Sequence, residues 1–152
     1  MNLITAVKAC FSKFATFSGR AQRSEFWWFV LFVWAMSIVL SIVDSTLFGT
    51  VVRTGNSFYA STNTPIFSGI FSLVVVLPNL AVSVRRLHDT DRSGWWLLIG
   101  LIPLVGLIVL IVFFASKGTD GNNRFGSDPL GGHGGDDGQR YSDSGIPSVP
   151  RD

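Results

Sequence analysis

With 152 residues, of which 47% are hydrophobic and only 14% charged, the chain is too apolar for an ordinary soluble domain and belongs to the class of membrane proteins. Its formal net charge of +2 is unevenly spread, since eight Lys or Arg accompany four acids up to Arg92, whereas four accompany six from Ser116 onward. The basic first part suits an anionic membrane surface, so we expect membrane lipids and no nucleic acid as partners. The single cysteine, Cys10, allows no internal disulfide.

The N-terminal segment 1–25 contains the pattern of an amphipathic helix. Over residues 3–17, leucine, isoleucine, valine and phenylalanine fall in one arc at about 100° per residue, with Lys8 and Lys13 on the opposite face. This pattern is typical of a helix that lies in the membrane interface. Packing of the same apolar face on the protein's own membrane helices is an equally good interpretation.

Three apolar runs make up a predicted membrane domain over 26–115. Because about 20 residues are needed to cross a ~30 Å hydrocarbon core, each run is long enough for a transmembrane helix. Trp27 and Trp28 are expected at one interface of the first helix and Asp44 at the other, with a polar loop over 48–65. The predicted fold class is an all-α membrane protein with three transmembrane helices, at about 26–47, 66–84 and 95–115.

The third run has two alternative interpretations. Pro103 and Gly106 lie near its middle, where they could form the tip of a re-entrant hairpin that returns the tail to the side it came from. Broken backbone facing lipid is costly, so we favour three full spans. The N-terminus and the 85–94 connection carry seven Lys and Arg, against three in the first loop and near tail. The positive-inside rule then predicts a cytoplasmic N-terminus and a C-terminus outside.

The chain changes character after Ala115. Residues 116–130 form a polar segment, whereas 131–152 are rich in glycine and contain no long apolar run. We expect this last part to be a disordered tail.

The densest group of charges lies at 85–96, between the second and third apolar runs. As a helical extension of the second span, this group would make Asp89 an i,i+4 neighbour of Arg85 and an i,i+3 neighbour of Arg86. Arginines beside a tryptophan pair could bind the phosphate of a lipid headgroup. A topological anchor with local ion pairs is the simpler interpretation and the one we favour.

Metal binding and catalysis are poorly supported by this group. His88, Asp89 and Asp91 offer one imidazole and two carboxylates within four residues of one another, which is not a typical metal-ligand spacing. No nucleophile lies at a recognisable spacing from His88. We therefore predict no enzyme activity, no metal and no cofactor.

Four motifs occur in a fixed order along the chain. They are FSGRAQRSEFWW at 17–28, RRLHDTDRSGWW at 85–96, IPLVG at 102–106 and GTDGNNRFGSDP at 118–129. In this order they resemble the bacterial domain-of-unknown-function family 805, the YhaH-like small inner-membrane proteins. The resemblance covers about residues 11–130 and implies a multi-pass protein of the bacterial inner (plasma) membrane without an assigned activity. The positions that match the family's polar motifs are Arg85, Arg86, His88, Asp89, Asn123, Arg124, Gly126, Asp128 and Pro129.

The predicted function is that of a non-catalytic integral membrane protein that contacts partners or anionic lipid headgroups through a cytoplasmic arginine and tryptophan cluster. The partner could also be a second copy of the chain or another membrane protein. The alternative function is a subunit of an oligomeric transporter or channel, with Asn79 and the break at 103–106 lining the path. The candidate binding residues are Arg20, Arg23, Arg85, Arg86, His88, Asp89, Arg92, Trp95, Trp96, Asn123 and Arg124.

Overall fold

A computed structural model describes residues 1–54, 57–62 and 64–131 of the chain. The predicted disorder of 131–152 falls almost entirely outside the described residues. The described elements, in chain order, are helix α1 (Leu3–Ser12), helix α2 (Arg23–Phe48), strands β1 (Gly49–Thr54) and β2 (Ser57–Thr62), helix α3 (Ile66–Asp89), a 3-10 helix (Gly94–Leu101) and helix α4 (Val105–Ala115).

Two helices are long and apolar enough to cross a membrane, and they match the first two predicted spans. The 26 residues of α2 and the 24 of α3 correspond to lengths of about 39 and 36 Å at 1.5 Å per residue, both greater than a ~30 Å hydrocarbon core. The polar segment between them, predicted as a loop, contains an antiparallel hairpin in which Gly49 pairs with Thr62 and Thr54 with Ser57. The architecture is therefore helical, with one short hairpin between the two long helices.

One end of the α2–α3 pair is fixed by Asp44. Its carboxylate accepts hydrogen bonds from the backbone N–H groups of Phe67 (3.0 Å) and Ser68 (2.9 Å) and from the Ser68 hydroxyl (2.7 Å). The first N–H groups of a helix have no partner within the helix, and the positive end of the helix dipole favours an anion. Asp44 is only 1% exposed, so it caps α3 from inside the fold.

Helix α1 packs on the protein's own helices and also leaves apolar side chains exposed. Ala6 and Cys10 are buried, and the ring of Phe11 lies edge-on to Phe29 with centroids 5.9 Å apart. The helix begins at a capping box and ends at Ser12, earlier than predicted. Its apolar face thus supports the packing interpretation, while Leu3 and Ile4 on the helix and Phe14 and Phe17 after its end are exposed and remain available to an interface.

The prediction of a third span over 95–115 is not confirmed, because the structure has a 3-10 helix and the short α4 there in place of one continuous helix. After the 3-10 helix the backbone reverses, with Leu104 at φ 62° and the N–H of Val105 donating to the carbonyl of Pro103. The following α4 has 11 residues, about 17 Å at 1.5 Å per residue, which is too short to cross a ~30 Å core. The segment leaves the end of α3 and returns to it, because the Phe114 carbonyl accepts a hydrogen bond from Arg86. This path matches the alternative interpretation, a hairpin with its tip near Pro103 and Gly106.

The apolar core lies close to the C-terminal end of α3. The ring of Phe26 on α2 packs against that of Phe114 on α4, with centroids 4.4 Å apart. Residues of four helices and of the segment before α2 meet there, so the returning α4 completes the core. Its buried members are Cys10, Ala21, Phe26, Phe29, Val82, Leu87 and Phe114.

The reversal before α4 predicts a strict requirement for glycine at position 106. A Cβ atom added to Gly106 would lie 1.8 Å from the backbone carbonyl oxygen of Ile99, which cannot move without displacing the 3-10 helix. We expect Gly106→Ala to lower the free energy of unfolding by about 2 kcal/mol or more. Thermal unfolding of the purified protein in detergent measures the change.

Gly69→Ala on α3 is the matched control for this substitution. A Cβ at Gly69 would meet nothing within 4 Å, so alanine there should leave the protein unchanged or stabilise it by about 0.5–1 kcal/mol. Equal unfolding temperatures for the two variants would contradict the described reversal.

Candidate functional site

Asp89, at the last turn of α3, is the centre of a buried polar network. One carboxylate oxygen accepts a hydrogen bond from Nε of Arg20 at 2.9 Å, and the other accepts one from Nη1 of Arg86. All three side chains are nearly inaccessible to solvent. We call these three residues the Asp89 network. A carboxylate that accepts hydrogen bonds from two guanidinium groups is the arrangement in which a buried charge is best compensated.

Each arginine of the Asp89 network also binds backbone carbonyls of the polar segment after α4. Arg20 donates from Nη2 to the carbonyl of Thr119 at 2.6 Å and from Nη1 to that of Gly121. Arg86 donates from Nε to the Phe114 carbonyl at 3.0 Å and from Nη2 to the carbonyl of Ser116. The last carbonyls of a helix have no partner within it, so Arg86 caps α4.

Gly118 allows the polar segment to approach the Asp89 network closely. A Cβ at this position would lie 2.1 Å from a carboxylate oxygen of Asp89. Beside it, the backbone N–H of Thr119 donates to the Asp89 carbonyl at 2.8 Å. The segment after α4 therefore contacts both the backbone and the side chain of the last residue of α3.

Arg85 turns away from Asp89 and pairs with Glu25 at the start of α2. Nη1 of Arg85 lies 2.7 Å from Oε1 of Glu25, and both residues are buried. The expected i,i+4 pair with Asp89 is therefore wrong, whereas the i,i+3 pair of Arg86 with Asp89 is confirmed. Adjacent residues of a helix point about 100° apart, so only one of the two arginines can face the network.

The thiol of Cys10 lies 3.9 Å from the same carboxylate oxygen of Glu25. Burial, and after it the negative charge of Glu25, raise the pKa of Cys10 to about 12. The thiol is therefore protonated at neutral pH.

His88 connects α3 to the motif at 118–129. Its ring stacks on that of Phe125 with centroids 3.9 Å apart and planes 3° from parallel. Nδ1 lies 3.2 Å from the carbonyl oxygen of Gly19, which fits a tautomer in which Nδ1 carries the proton. The backbone carbonyl of His88 accepts a hydrogen bond from the Asn123 amide at 2.8 Å. The imidazole thus serves as a packing surface between two chain segments.

The other predicted site residues lie around this network without joining it. The guanidinium of Arg92 covers the ring of Phe113 at 4.1 Å, and Arg124 forms an exposed ion pair with Asp91 at 3.2 Å. Trp95 is 79% exposed. Trp96 and Arg23 are also exposed. Binding of headgroups by these residues stays a prediction.

Two residues that contact predicted site residues in the structure were not predicted from the sequence. Glu25 pairs with Arg85, and Phe125 stacks on His88. The available signal for Glu25 was that it is the only acid in the first 43 residues, among four cations. For such an acid at the entry to a span, a buried ion pair with one of the arginines at 85–86 is the typical arrangement.

The described residues contain no group of three or more His, Cys, Asp or Glu that could hold a metal ion. The carboxylate of the Asp89 network is bound to two arginines, and His88 contributes one imidazole.

Comparison with known sequences gives the chain its family. A family model described as a protein of unknown function, DUF805, matches residues 14–127. The chain belongs to the DUF805 family. The matched range contains every residue of the Asp89 network and the carbonyls that it binds, but begins after the end of α1.

Two curated relatives of the chain are named inner membrane proteins. The chain is 42% identical over 113 residues to inner membrane protein YhaH of Escherichia coli (strain K12), and 40% identical over 113 residues to inner membrane protein YhaI of the same strain. These alignments cover 74% of this chain and 86% and 85% of the relatives. The uncharacterized protein YiiR of that strain is 30% identical over 140 residues, covering 74% of this chain and 85% of the relative. No solved structure matches the DUF805 chain.

The Asp89 network predicts a large loss of stability when its carboxylate is neutralised. Asp89→Asn would leave the guanidinium group of Arg86 buried without a counter-charge and that of Arg20 with only Asp128, 3.9 Å away. We expect the free energy of unfolding to fall by about 3–5 kcal/mol. Thermal or denaturant unfolding in detergent measures the change.

Asp91→Asn is the matched control, because it removes the same charge two residues away from an exposed ion pair with Arg124. An exposed pair contributes at most about 1 kcal/mol, so this variant should unfold close to the parent protein. A loss for Asp89→Asn no larger than that for Asp91→Asn would show that Asp89 is not the centre of the fold.

Proposed function

We propose that the protein is a non-catalytic integral protein of the bacterial inner membrane that crosses the bilayer twice, through α2 and α3. The third apolar segment is re-entrant, and both α1 and the polar segment 116–130 lie in the cytoplasm. There the protein presents cations and tryptophans to anionic lipid headgroups. The observation that carries the topology is the bond of Arg86 to the carbonyls of Phe114 and Ser116, because it keeps the end of α4 at the end of α3.

The distribution of charge supports this topology. With the 116–130 segment on the same side as α1, Arg53 in the β-hairpin segment is the one exception to a cytoplasmic location among the ten Lys and Arg of residues 1–130. The alternative with three full spans places Lys117 and Arg124 outside as well. Since the positive-inside rule depends on Lys and Arg close to the ends of the spans, the two-span arrangement satisfies it better.

Exposure separates structural arginines from those that can contact lipid. Arg20, Arg85 and Arg86 are buried and bonded within the protein, so they act as the internal anchor of the fold. The surface that reaches headgroups consists of exposed residues near the same end of the helices. We call them the cationic rim: Lys8, Lys13, Arg23 and Lys117, with Trp27, Trp28, Trp95 and Trp96 as interfacial aromatics.

The absence of catalysis is proposed from the surroundings of His88 and Cys10, the two side chains that could react. His88 is stacked on Phe125 and its Nδ1 faces a backbone carbonyl, so the ring has a structural use. The Cys10 thiol is buried and protonated, whereas a nucleophilic cysteine needs a lowered pKa and access.

One observation favours the alternative of an oligomeric transporter or channel. Asn79 is exposed on α3, next to the buried Pro78, so its amide faces either lipid or another subunit. Several copies could line a path with such amides. Solute flux into vesicles that contain the protein separates this alternative from the proposal.

Cysteine labelling tests the two-span topology. Single cysteines replace Lys8, Thr64 and Asn122, all exposed, in a Cys10→Ser background, and intact cells are treated with an impermeant maleimide. We expect labelling at position 64 only, with positions 8 and 122 reacting after permeabilisation. Labelling of position 122 on intact cells would mean that the third segment crosses the membrane.

Charge replacement on the cationic rim tests lipid recognition. The triple variant Lys8→Gln, Arg23→Gln and Lys117→Gln should lower the enrichment of phosphatidylglycerol over phosphatidylcholine on the protein in mixed nanodiscs by about fivefold or more, because each cation near the surface contributes about 1 kcal/mol at low salt. Mass spectrometry of the bound lipid measures the enrichment.

The matched control keeps the charge at these three positions, as Lys8→Arg, Arg23→Lys and Lys117→Arg. It should bind anionic lipid as the parent does, and the difference between the two triple variants should shrink at high salt. If both triple variants enriched phosphatidylglycerol equally, the cationic rim would not be the surface that binds anionic lipid.

A further inference from the structure

Asn79 places a polar side chain at the middle of the long helix α3. At 1.5 Å per residue it lies about 20 Å from the first residue of the helix and about 15 Å from the last. Asn79 is exposed on the helix surface, and its amide has no hydrogen bond with any residue that the structure describes. An amide without a partner is costly in hydrocarbon, and this side chain is too short to reach the headgroups from such a depth. It therefore requires a hydrogen-bonding partner from outside the chain.

Serines of the two long helices do not share this requirement. The hydroxyl of Ser72 on α3 donates to the carbonyl of Ser68 at 2.7 Å, and the hydroxyl of Ser37 on α2 donates to that of Val33 at 2.7 Å. A serine can satisfy its donor in this way on the preceding turn of its own helix. The Asn79 amide has two donor hydrogens and an acceptor oxygen, and none of them is used within the described chain.

The face of α3 that carries Asn79 is not the face that packs on α2. Phe71, Val75 and Pro78 follow one another at helical spacing on the α2 side. There the rings of Phe71 and Phe32 have centroids 6.3 Å apart, and Val75 and Pro78 are buried. Asn79 lies about 100° further round the helix than Pro78, so it points away from this contact.

Small residues share the exposed face with Asn79. Gly69, Ser72, Val76 and Asn79 follow at intervals of three, four and three residues, the spacing at which two helices pack with a left-handed crossing of about 20°. Ser72 and Val76 are exposed, and a Cβ at Gly69 would meet nothing within 4 Å. Small side chains let the backbones of membrane helices approach closely. The surroundings of Asn79 thus leave room for a second helix.

A second copy of the chain is the partner that fits this face. Copies inserted in the same direction have Asn79 at the same depth, so the two amides can meet. Since an amide is both donor and acceptor, two Asn79 side chains related by a twofold axis form reciprocal hydrogen bonds. The same axis brings the small residues of one copy against those of the other. An unrelated membrane protein would need a matching polar group at this one depth.

We propose that α3 forms the interface of a parallel homodimer, in which the Asn79 amides of two copies bond to each other and Gly69, Ser72 and Val76 pack around them. Of the proposed function, this inference uses only the crossing of the bilayer by α3. The dimer presents the cationic rims of both copies on one side of the membrane. It differs from a channel, because paired amides fill the contact between the helices and leave no path for a solute.

Val76 and Leu77 are a matched pair for disulfide cross-linking. They are 48% and 47% exposed, lie at nearly the same depth and point about 100° apart. Each is replaced by cysteine in the full-length Cys10→Ser protein, and membranes that contain the variant are oxidised with iodine. Because a disulfide needs Cβ atoms about 4 Å apart, we expect a cross-linked dimer from Val76→Cys and none from Leu77→Cys. Equal cross-linking at the two positions, or none at Val76, would contradict the proposed interface.

Substitution of Asn79 itself measures the contribution of the amide. Asn79→Leu removes the reciprocal hydrogen bonds, so the dissociation constant of the dimer should rise by about fivefold or more. Asn79→Gln keeps an amide at this position and should restore most of the affinity. Förster transfer between full chains labelled at the N-terminus with donor or acceptor, in lipid vesicles at decreasing protein-to-lipid ratio, measures the constant. If Asn79→Leu does not fold, the cross-linking pair decides the question.

A parent protein that stays monomeric in vesicles would overturn the proposal, as would equal dissociation constants for the parent and Asn79→Leu. None of these variants changes the cationic rim, and none changes the positions used for maleimide labelling. A protein that dimerises through Asn79 but does not enrich anionic lipid refutes the proposed lipid recognition alone. A monomer that enriches anionic lipid refutes the dimer alone.

Discussion

The fold depends on one carboxylate that is shared by two arginines in a buried site. Removing ions from water costs several kcal/mol each, and Asp89 compensates this cost only because both of its oxygens are bonded to guanidinium groups. Those guanidinium groups in turn use their remaining donors on carbonyls of residues 114–121. The segment before α2, the end of α3 and the segment after α4 are thereby held as one unit. None of the three can move without leaving a buried charge or a guanidinium donor without its partner.

This constraint explains why an apolar segment long enough to span folds back in the structure and does not form one continuous helix. Residues 94–115 would satisfy a count of apolar residues, yet Arg86 holds the Phe114 carbonyl beside the end of α3. The reversal before Gly106 exposes irregular backbone, which is tolerated at membrane depth only where protein or water provides partners. Here the 3-10 helix and α4 pack on each other, since Gly106 lies directly against the carbonyl of Ile99. Hydropathy measures whether a segment can enter the membrane, and the polar network decides where it ends.

The local features of this structure were predictable from sequence, and the long-range ones were not. The two long helices followed from the length of their apolar runs, and the Arg86–Asp89 pair followed from helical spacing. Pro103 and Gly106 signalled the reversal, but the general cost of lipid-facing backbone outweighed them because nothing in the sequence shows which backbone groups will find partners. The deciding contacts join side chains to backbone carbonyls about 30 or 100 residues away. Carbonyls are present at every position, so no residue pattern identifies the ones that are used.

Arg85 and Arg86 show how two identical neighbours acquire different uses. The turn of the helix directs Arg86 toward α4, where all of its nitrogens have partners, and Arg85 toward α2, where one nitrogen does. The charges at this end of the helices are balanced, because three arginines face Glu25, Asp89 and Asp128, the last lying 3.9 Å from Arg20. The hydrogen bond from the Leu130 amide lowers the pKa of Asp128, which keeps that balance in place at neutral pH. What distinguishes Arg85 from Arg86 is therefore the number of its hydrogen bonds, since only Nη1 of Arg85 has a partner among the described residues.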